Sequence, residues 1–158
     1  MSTSTVIGDF IIGDKIGEGT YSRVFLAERK TTSDGVYAIK IPKINFARAE
    51  SEGAHIKHEY EMLREFDHPH IIKVIDANEG DADLIRLPSN RKRKTAYIVF
   101  EHCENGELYK WISENGAMSD TVTRAVFKQI LSGVQAMHEK GVSHGDLKPE
   151  NILLDEML

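Results

Sequence analysis

The 158-residue chain has a single cysteine, Cys103, so it contains no internal disulfide framework and its composition suits a reducing compartment. It has no apolar run near the ~18 residues that span a bilayer. Its first residues, MSTSTVIGD, lack the basic start and apolar core of a secretory leader, and Ser2 stands where myristoylation requires glycine. With 20 Lys and Arg against 25 Asp and Glu, the net charge of -5 disfavours a general nucleic-acid or anionic-membrane surface. Repeats and low-complexity segments are missing too. His55, His58, His68 and His70 have no cysteine or acidic spacing around them and read as solvated helix and turn residues rather than a metal site. What is present is ordinary: 41% hydrophobic and 28% charged residues, enough for one domain or part of a larger one. A cytoplasmic or nuclear protein is the default expectation. The one basic run, Arg91-Lys92-Arg93-Lys94, reads first as a solvated loop and second as a nuclear-import or docking patch.

Short β-branched or apolar runs at Phe10-Ile11-Ile12, Arg23–Ala27 and Val36–Ile41, divided by Gly-rich or Thr-Ser-Asp-Gly punctuation, predict an antiparallel meander. A helix is predicted from about Ala49 to Phe66, closed by His68-Pro69 because the residue before proline resists the α region. Strands follow at Ile71–Asp76 and Thr95–Glu101, joined by a long polar loop over Ala77–Lys94. Beyond Glu101 the pattern turns helical. A short helix over Glu107–Glu114 stops at Asn115-Gly116. A longer one is capped by Ser119 or Asp120 and runs to about Lys140, with Gly141 ending it. Its stripe of Val122, Val126, Ile130, Val134 and Met137 needs a facing layer, so an exposed apolar patch and marginal stability are expected of these 158 residues by themselves. The order is a five-strand sheet with one helix, then an all-helical portion, joined near residues 101–106.

Four groups of residues could carry chemistry. In Gly17-Glu18-Gly19-Thr20-Tyr21-Ser22-Arg23-Val24, glycines at a strand-to-strand turn let backbone amides approach phosphate oxygens, although a plain hairpin needs the same glycines. The turn leads into a strand, which excludes a dinucleotide fingerprint or a Walker loop. Lys40 lies inside an apolar strand run and is either an edge residue facing water or the partner of a buried anion. At 100° per residue, Glu59 falls on the helix stripe with Ile56, Leu63 and Phe66, whereas Glu61 and Glu65 point to water. Glu59 is therefore a candidate for that anion. In Val-Ser-His-Gly-Asp-Leu-Lys-Pro-Glu-Asn (142–151), Asp146 and Asn151 stand five residues apart, a carboxylate and an amide suited to orienting a hydroxyl and ligating Mg²⁺.

Taken in order, Gly-x-Gly-x-x-Ser-x-Val, Tyr-Ala-Ile-Lys, an inward Glu and His-Gly-Asp-Leu-Lys-Pro-Glu-Asn resemble the signature set of eukaryotic-type Ser/Thr protein kinases across residues 10–158. Stretches such as His68–Lys73 and Phe127–Val134 look most similar to the calcium/calmodulin-dependent and AMP-activated group. The resemblance implies an α+β, two-lobe fold: a tail over 1–9, an N-lobe over 10–101, and the hinge with part of a C-lobe over 102–158. It also implies ATP and Mg²⁺ as cofactors, protein substrates bearing Ser or Thr, regulatory proteins as further partners, and neither nucleic acid nor membrane.

By the same resemblance, Gly17, Glu18, Gly19, Thr20, Tyr21 and Ser22 cover the phosphates, and Lys40 binds them while paired with Glu59. Ile16, Val24, Ala38 and Leu153 enclose the adenine, with Phe100 as gatekeeper. The Glu101 carbonyl and the Cys103 amide face the base, Glu107 reaches the ribose, and Glu150 joins the nucleotide contacts. Asp146 takes the substrate proton, Lys148 faces the γ-phosphate and Asn151 holds a metal ion. Three departures stand out. Ser22 replaces a third glycine, and Gly145 replaces the arginine that meets a phosphorylated activation loop. No Asp-Phe-Gly or Ala-Pro-Glu occurs in the sequence. An incomplete catalytic domain, inactive alone, is the expectation; a non-catalytic regulatory or binding module is the alternative.

Overall fold

Val6 and Ile7 are too few to announce a strand, yet Thr5–Ile7 forms one (β1), turning through Gly8-Asp9 to pair with β2 (Phe10–Glu18). Gly8 takes φ +52°, and a Cβ there would come within 2.9 Å of the Tyr97 hydroxyl. The structure, a computed structural model, describes residues 5–32, 35–43, 49–86 and 89–155, with the side chains of 49–53 left aside. The chain divides into two units: Met1–Glu65 with Lys73–His102, and Phe66–Ile72 with Cys103–Leu158.

In the first unit, β3 (Ser22–Arg29), β4 (Val36–Pro42), β5 (Val74–Arg86) and β6 (Arg91–Glu101) join β1 and β2 in a closed antiparallel barrel of order β1-β2-β3-β4-β6-β5. The expected antiparallel sheet is there, with a sixth strand. Residues 5–7 leave the expected tail to close the barrel, Thr5, Val6 and Ile7 pairing with Arg86, Ile85 and Leu84. The polar loop expected over 77–94 is instead the far half of the β5–β6 hairpin, registered from Ala82 opposite Thr95 to Arg86 opposite Arg91. Two local features hid it. A bulge at Asn78–Ala82, where the Asn78 side-chain oxygen accepts from the amides of Gly80, Asp81 and Ala82 at 3.0 Å each, breaks the strand period. Beyond it only Ala82 and Leu84 of β5 reach the core.

That core holds Ile7, Phe10, Ala27, Ile39, Ile41, Tyr97 and Val99, with Phe10 edge-on to Tyr37 and Tyr97 at 6.0 and 6.1 Å. The Tyr97 hydroxyl donates to Asp76 at 3.2 Å, and burial, reinforced by that carboxylate, pushes its pKa up to about 12. Helix α1 (Ala49–Leu63) packs on β4, β5 and β6 through its buried Ile56. It ends before Phe66, and β5 starts at Val74 rather than Ile71, because 66–72 belongs to the second unit.

The second unit contains β7 (Gly106–Glu107), α2 (Leu108–Asn115), α3 (Asp120–Glu139), a 3-10 turn over Pro149–Asn151 and β8 (Leu153–Leu154). Both helix ends behave as their residues dictate. The Ser119 hydroxyl accepts from the Val122 amide at 3.4 Å, and Gly116, at φ +82°, closes α2 with its amide on the Ile112 carbonyl. Leu108, Val126 and Leu154 form the small core, backed by Trp111, Met118, Ile130 and Ile152. The expected α3 stripe is therefore mostly covered within the unit: Val126 is buried, and Ile130, Val134 and Met137 partly so. The uncovered apolar groups of α3 are Phe127 and Leu131, 58% and 52% exposed, together with Val122 of the stripe itself.

Gly133 marks where α3 meets the 66–72 segment. A Cβ there would lie 2.7 Å from the His70 carbonyl oxygen, a backbone atom that cannot rotate away. One residue back, the Ser132 hydroxyl lies 3.3 Å from His68 Nε2. Gly133→Ala is expected to destabilise the fold by about 1–3 kcal/mol despite the higher helix propensity of alanine. A denaturation midpoint that rises in this variant would contradict the contact.

Candidate active site

In the first unit, the β2–β3 turn is held from both sides. Within it the Gly19 amide donates to the Ser22 carbonyl at 2.9 Å, and the Lys43 amide, just past β4, donates to the Tyr21 carbonyl at 2.8 Å. The Glu18 carboxylate takes Lys15 Nζ at 2.6 Å and Lys43 Nζ at 2.7 Å, with Arg23 3.7 Å away. Those two lysines, Lys15 first, pull its pKa down to about 2. Nothing in local spacing announced Lys43 as a clamp on this turn. Ser22 is buried, and Tyr21, half exposed, stacks on His55 of α1 with ring centres 4.9 Å apart.

Strand register then fixes which side chains share a face. Val24 lies opposite Lys40 and Lys40 opposite Ile98, while Ala38 lies opposite Phe100. Because side chains alternate along a strand, Val24, Ala38, Lys40 and Phe100 share the barrel's outer face, whereas Ile39 and Ile41 line its interior. On that outer face Lys40 Nζ donates to both Glu59 oxygens, at 2.7 and 2.5 Å, with both side chains partly buried. Phe100 is buried and Ile16 is nearly half exposed. The Glu101 carboxylate accepts from the Lys73 amide at 2.8 Å, and its own amide donates to the Lys73 carbonyl, which fixes the end of β6.

The second unit assembles its own share. After α3, Gly141 turns the chain at φ +72° and the Val142 amide returns to the Met137 carbonyl at 3.0 Å. His144 Nδ1 accepts from the Asp146 amide at 3.2 Å, bridging Gly145, which takes φ +75°, a conformation natural to glycine. Asp146 Oδ2 then receives Lys148 Nζ at 2.9 Å and Asn151 Nδ2 at 3.0 Å, while the same Nδ2 donates to the Asp146 carbonyl at 2.7 Å. Lys148 first, then Asn151, holds the Asp146 carboxyl below its ordinary value, and Asp146 in turn raises Lys148. The 3-10 turn carries Glu150 and delivers the chain to β8, where Glu107 lies directly opposite Leu153. The amide of Leu108 donates to the Ile152 carbonyl at 2.8 Å, and the Gly106 amide to the Cys103 carbonyl at 3.2 Å. Among the described residues no cluster of three His, Cys, Asp or Glu side chains could hold a metal ion.

Comparison with known proteins is consistent with this layout. The family described as "Protein kinase domain" matches residues 10–158. The chain is 36% identical over 152 residues to serine/threonine protein kinases OSK3 and OSK4 of rice (Oryza sativa subsp. indica), covering 96% of this chain and 27% of each relative. It thus spans about a quarter of the length of the curated relatives it matches. A solved structure described as Rad53 1-466 in complex with AMP-PNP is similar over 94% of this chain and 35% of its own, at TM-score 0.72 and 28% identity. The two rice relatives are serine/threonine protein kinases, and the chain belongs to the protein kinase domain family.

Proposed function

We propose that these residues are the nucleotide-handling and proton-accepting part of an ATP-dependent protein serine/threonine kinase, which transfers the γ-phosphate of ATP to Ser or Thr hydroxyls of proteins. The observation that carries this reading is the Lys40–Glu59 pair: a lysine in an apolar strand, held by a helix carboxylate at 2.5–2.7 Å, presents a fixed cation for phosphate oxygens. Gly17, Gly19 and the amides of Glu18, Thr20, Tyr21 and Ser22 would cover the phosphates. Ile16, Val24, Ala38, Phe100 and Leu153 would supply apolar contact to adenine, the Glu101 carbonyl and Cys103 amide its polar edge, and Glu107 the ribose contact, with Glu150 beside them. Similarity to a protein solved with AMP-PNP supports nucleotide binding.

For transfer, Lys148 and Asn151 occupy Asp146 Oδ2, which leaves Oδ1 for the substrate hydroxyl. The hydroxyl oxygen bonds to the γ-phosphorus, the bond from that phosphorus to the bridging oxygen of ADP breaks, and the hydroxyl proton passes to Asp146. Lys148 would neutralise charge on the moving phosphoryl group. Asn151 spends its amide nitrogen on Asp146, so its Oδ1 has no hydrogen-bond partner among the described residues, which suits an oxygen-seeking Mg²⁺. The ion, when bound, would neutralise phosphate charge.

Asp-Phe-Gly, whose aspartate is the family's other Mg²⁺ ligand, does not occur in the sequence. We therefore propose that the 158 residues alone bind nucleotide without turning it over, and on that same ground a binding or regulatory role is the second reading. Titration with a fluorescent ATP analogue in Mg²⁺ buffer, alongside γ-phosphate transfer to Ser/Thr peptides, separates these. Saturable binding without Asp146-dependent transfer is expected. Transfer abolished by Asp146→Asn would overturn the proposed inactivity, and no saturable binding by about 1 mM would overturn the nucleotide reading.

A further inference from the structure

Five of the chain's 20 basic residues, Arg86, Arg91, Lys92, Arg93 and Lys94, fall within residues 86–94, a stretch without Asp or Glu in a chain of net charge -5. The barrel gives that run a defined geometry. Arg86 lies directly opposite Arg91, and Arg93 opposite Leu84, at the end of the β5–β6 hairpin where Thr5 of β1 pairs with Arg86. The register is regular from Ala82 to Arg86 and from Arg91 to Thr95. Alternation therefore places Arg86, Arg91 and Arg93 on the interior-facing side, in line with Leu84 and Tyr97, at the rim of the barrel. Arg23, which shares the parity of Phe25 and Ala27 on β3, stands near enough to join them: burial first, then Arg23 and Arg86, lower the affinity of Arg93 for its proton.

Like charges directly opposite on paired strands destabilise the pair. On the other face of the same hairpin the conflict is resolved, since Lys94 Nζ lies 3.2 Å from Asp83 and donates to the Asp81 carbonyl. Arg86, Arg91 and Arg93 have no carboxylate partner among the described residues, and Arg23 has only Glu18 at 3.7 Å. Converging exposed guanidiniums without an internal anion call for an external one, and their planar forks match the paired oxygens of a phosphoryl group. The patch is one hairpin end, residues 84–94 include no aromatic to stack a base, and the chain is acidic overall. A nucleic acid or an anionic bilayer, which engages an extended basic surface, fits this less well than one dianionic group.

We propose that Arg86, Arg91 and Arg93, with Arg23 at their edge, form a binding site for a phosphoserine or phosphothreonine carried on a protein segment. Arg86, Arg91 and Arg93 lie on the face of the β-barrel opposite to that of Val24, Ala38 and Lys40, so the site does not rest on the nucleotide assignment, although Arg23 at its edge also meets Glu18 of the β2–β3 turn.

The test is fluorescence anisotropy with a labelled, otherwise neutral peptide bearing one phosphothreonine. Its unphosphorylated form, inorganic phosphate and a single-stranded oligonucleotide are run as competitors. The phosphopeptide is expected to bind saturably and to weaken as salt rises, because the contacts are exposed. Arg86→Gln and Arg93→Gln should each weaken it about tenfold, as loss of a charge-assisted contact does, while Lys92→Gln on the other face changes it by less than about twofold. Without ligand, both arginine variants should melt no lower than the parent, since each removes like-charge repulsion. Equal binding of the unphosphorylated peptide, or an effect of Lys92→Gln as large as that of Arg93→Gln, would overturn the proposal. So would inorganic phosphate matching the phosphopeptide, or an oligonucleotide binding more tightly than it.

Discussion

Replacing Lys40 with methionine is expected to weaken binding of an ATP analogue about tenfold or more and to lower stability by about 1–3 kcal/mol in the same samples. The two losses have different causes. Lys40 sits in register with Val24 and Ile98, and its ammonium donates to both oxygens of Glu59. Methionine keeps most of the stem's packing but leaves Glu59 as a partly buried carboxylate without a cation, which is the costly half of a broken pair. The nucleotide loss is separate, because phosphate oxygens lose a positioned charge whatever becomes of Glu59. Adding Glu59→Gln to Lys40→Met should therefore restore much of the stability and none of the affinity. Glu59→Gln alone, which keeps the cation but loosens its aim, should retain more affinity than Lys40→Met. Melting curves and nucleotide titrations on the four proteins decide this. Affinity recovered together with stability in the double variant would show that Lys40 acts only as a structural partner.

The Lys40–Glu59 pair was legible because helix geometry is local: a 100° step puts Glu59 on the stripe of Ile56, and Ile56 is indeed buried while Glu59 meets Lys40. Asp146 and Asn151 were legible for a similar reason, since five residues of loop are short enough for their side chains to meet. What stayed hidden depends on partners distant in sequence. Three residues of β1 carry no measurable period, and their role is fixed only by pairing with 84–86. In β5 the Asn78–Ala82 bulge shifts the phase of alternation, so a strand that continues to Arg86 reads as polar loop. The basic run was seen, but a loop of solvated charges and a set of arginines aligned on one face have the same composition. Only the register distinguishes them. The α3 stripe illustrates a third limit. Periodicity located the apolar face, yet which residues stay uncovered was set by Leu108, Leu154 and the 66–72 segment, leaving Phe127 and Leu131 outside.

Phe10→Ala should destabilise the first unit by about 3–5 kcal/mol, the upper end of large-to-small substitution, against a total stability of only about 5–15 kcal/mol for an ordinary domain. The size follows from how little its surroundings can move. Phe10 is fully buried at the β1–β2 turn, edge-on to Tyr37 and Tyr97, with the Arg29 guanidinium 5.6 Å from its ring centre. Tyr97 cannot swing into the vacated space without giving up its hydrogen bond to Asp76, and Gly8 already lies against its hydroxyl. The cavity should therefore persist rather than collapse. Phe10→Leu, which refills most of the volume, should cost no more than about 1.5 kcal/mol. Because Phe10 pairs with Ile7, the first element to loosen is β1, and with it the β1–β5 closure at the arginine-bearing rim. Hydrogen exchange should accordingly speed up at Thr5–Ile7 and Leu84–Arg86 before it does in α3, whose core contains none of these residues. Uniform acceleration across both units would mean that they unfold as one cooperative body, and a loss below about 1 kcal/mol would mean that the barrel interior is not close-packed around this ring.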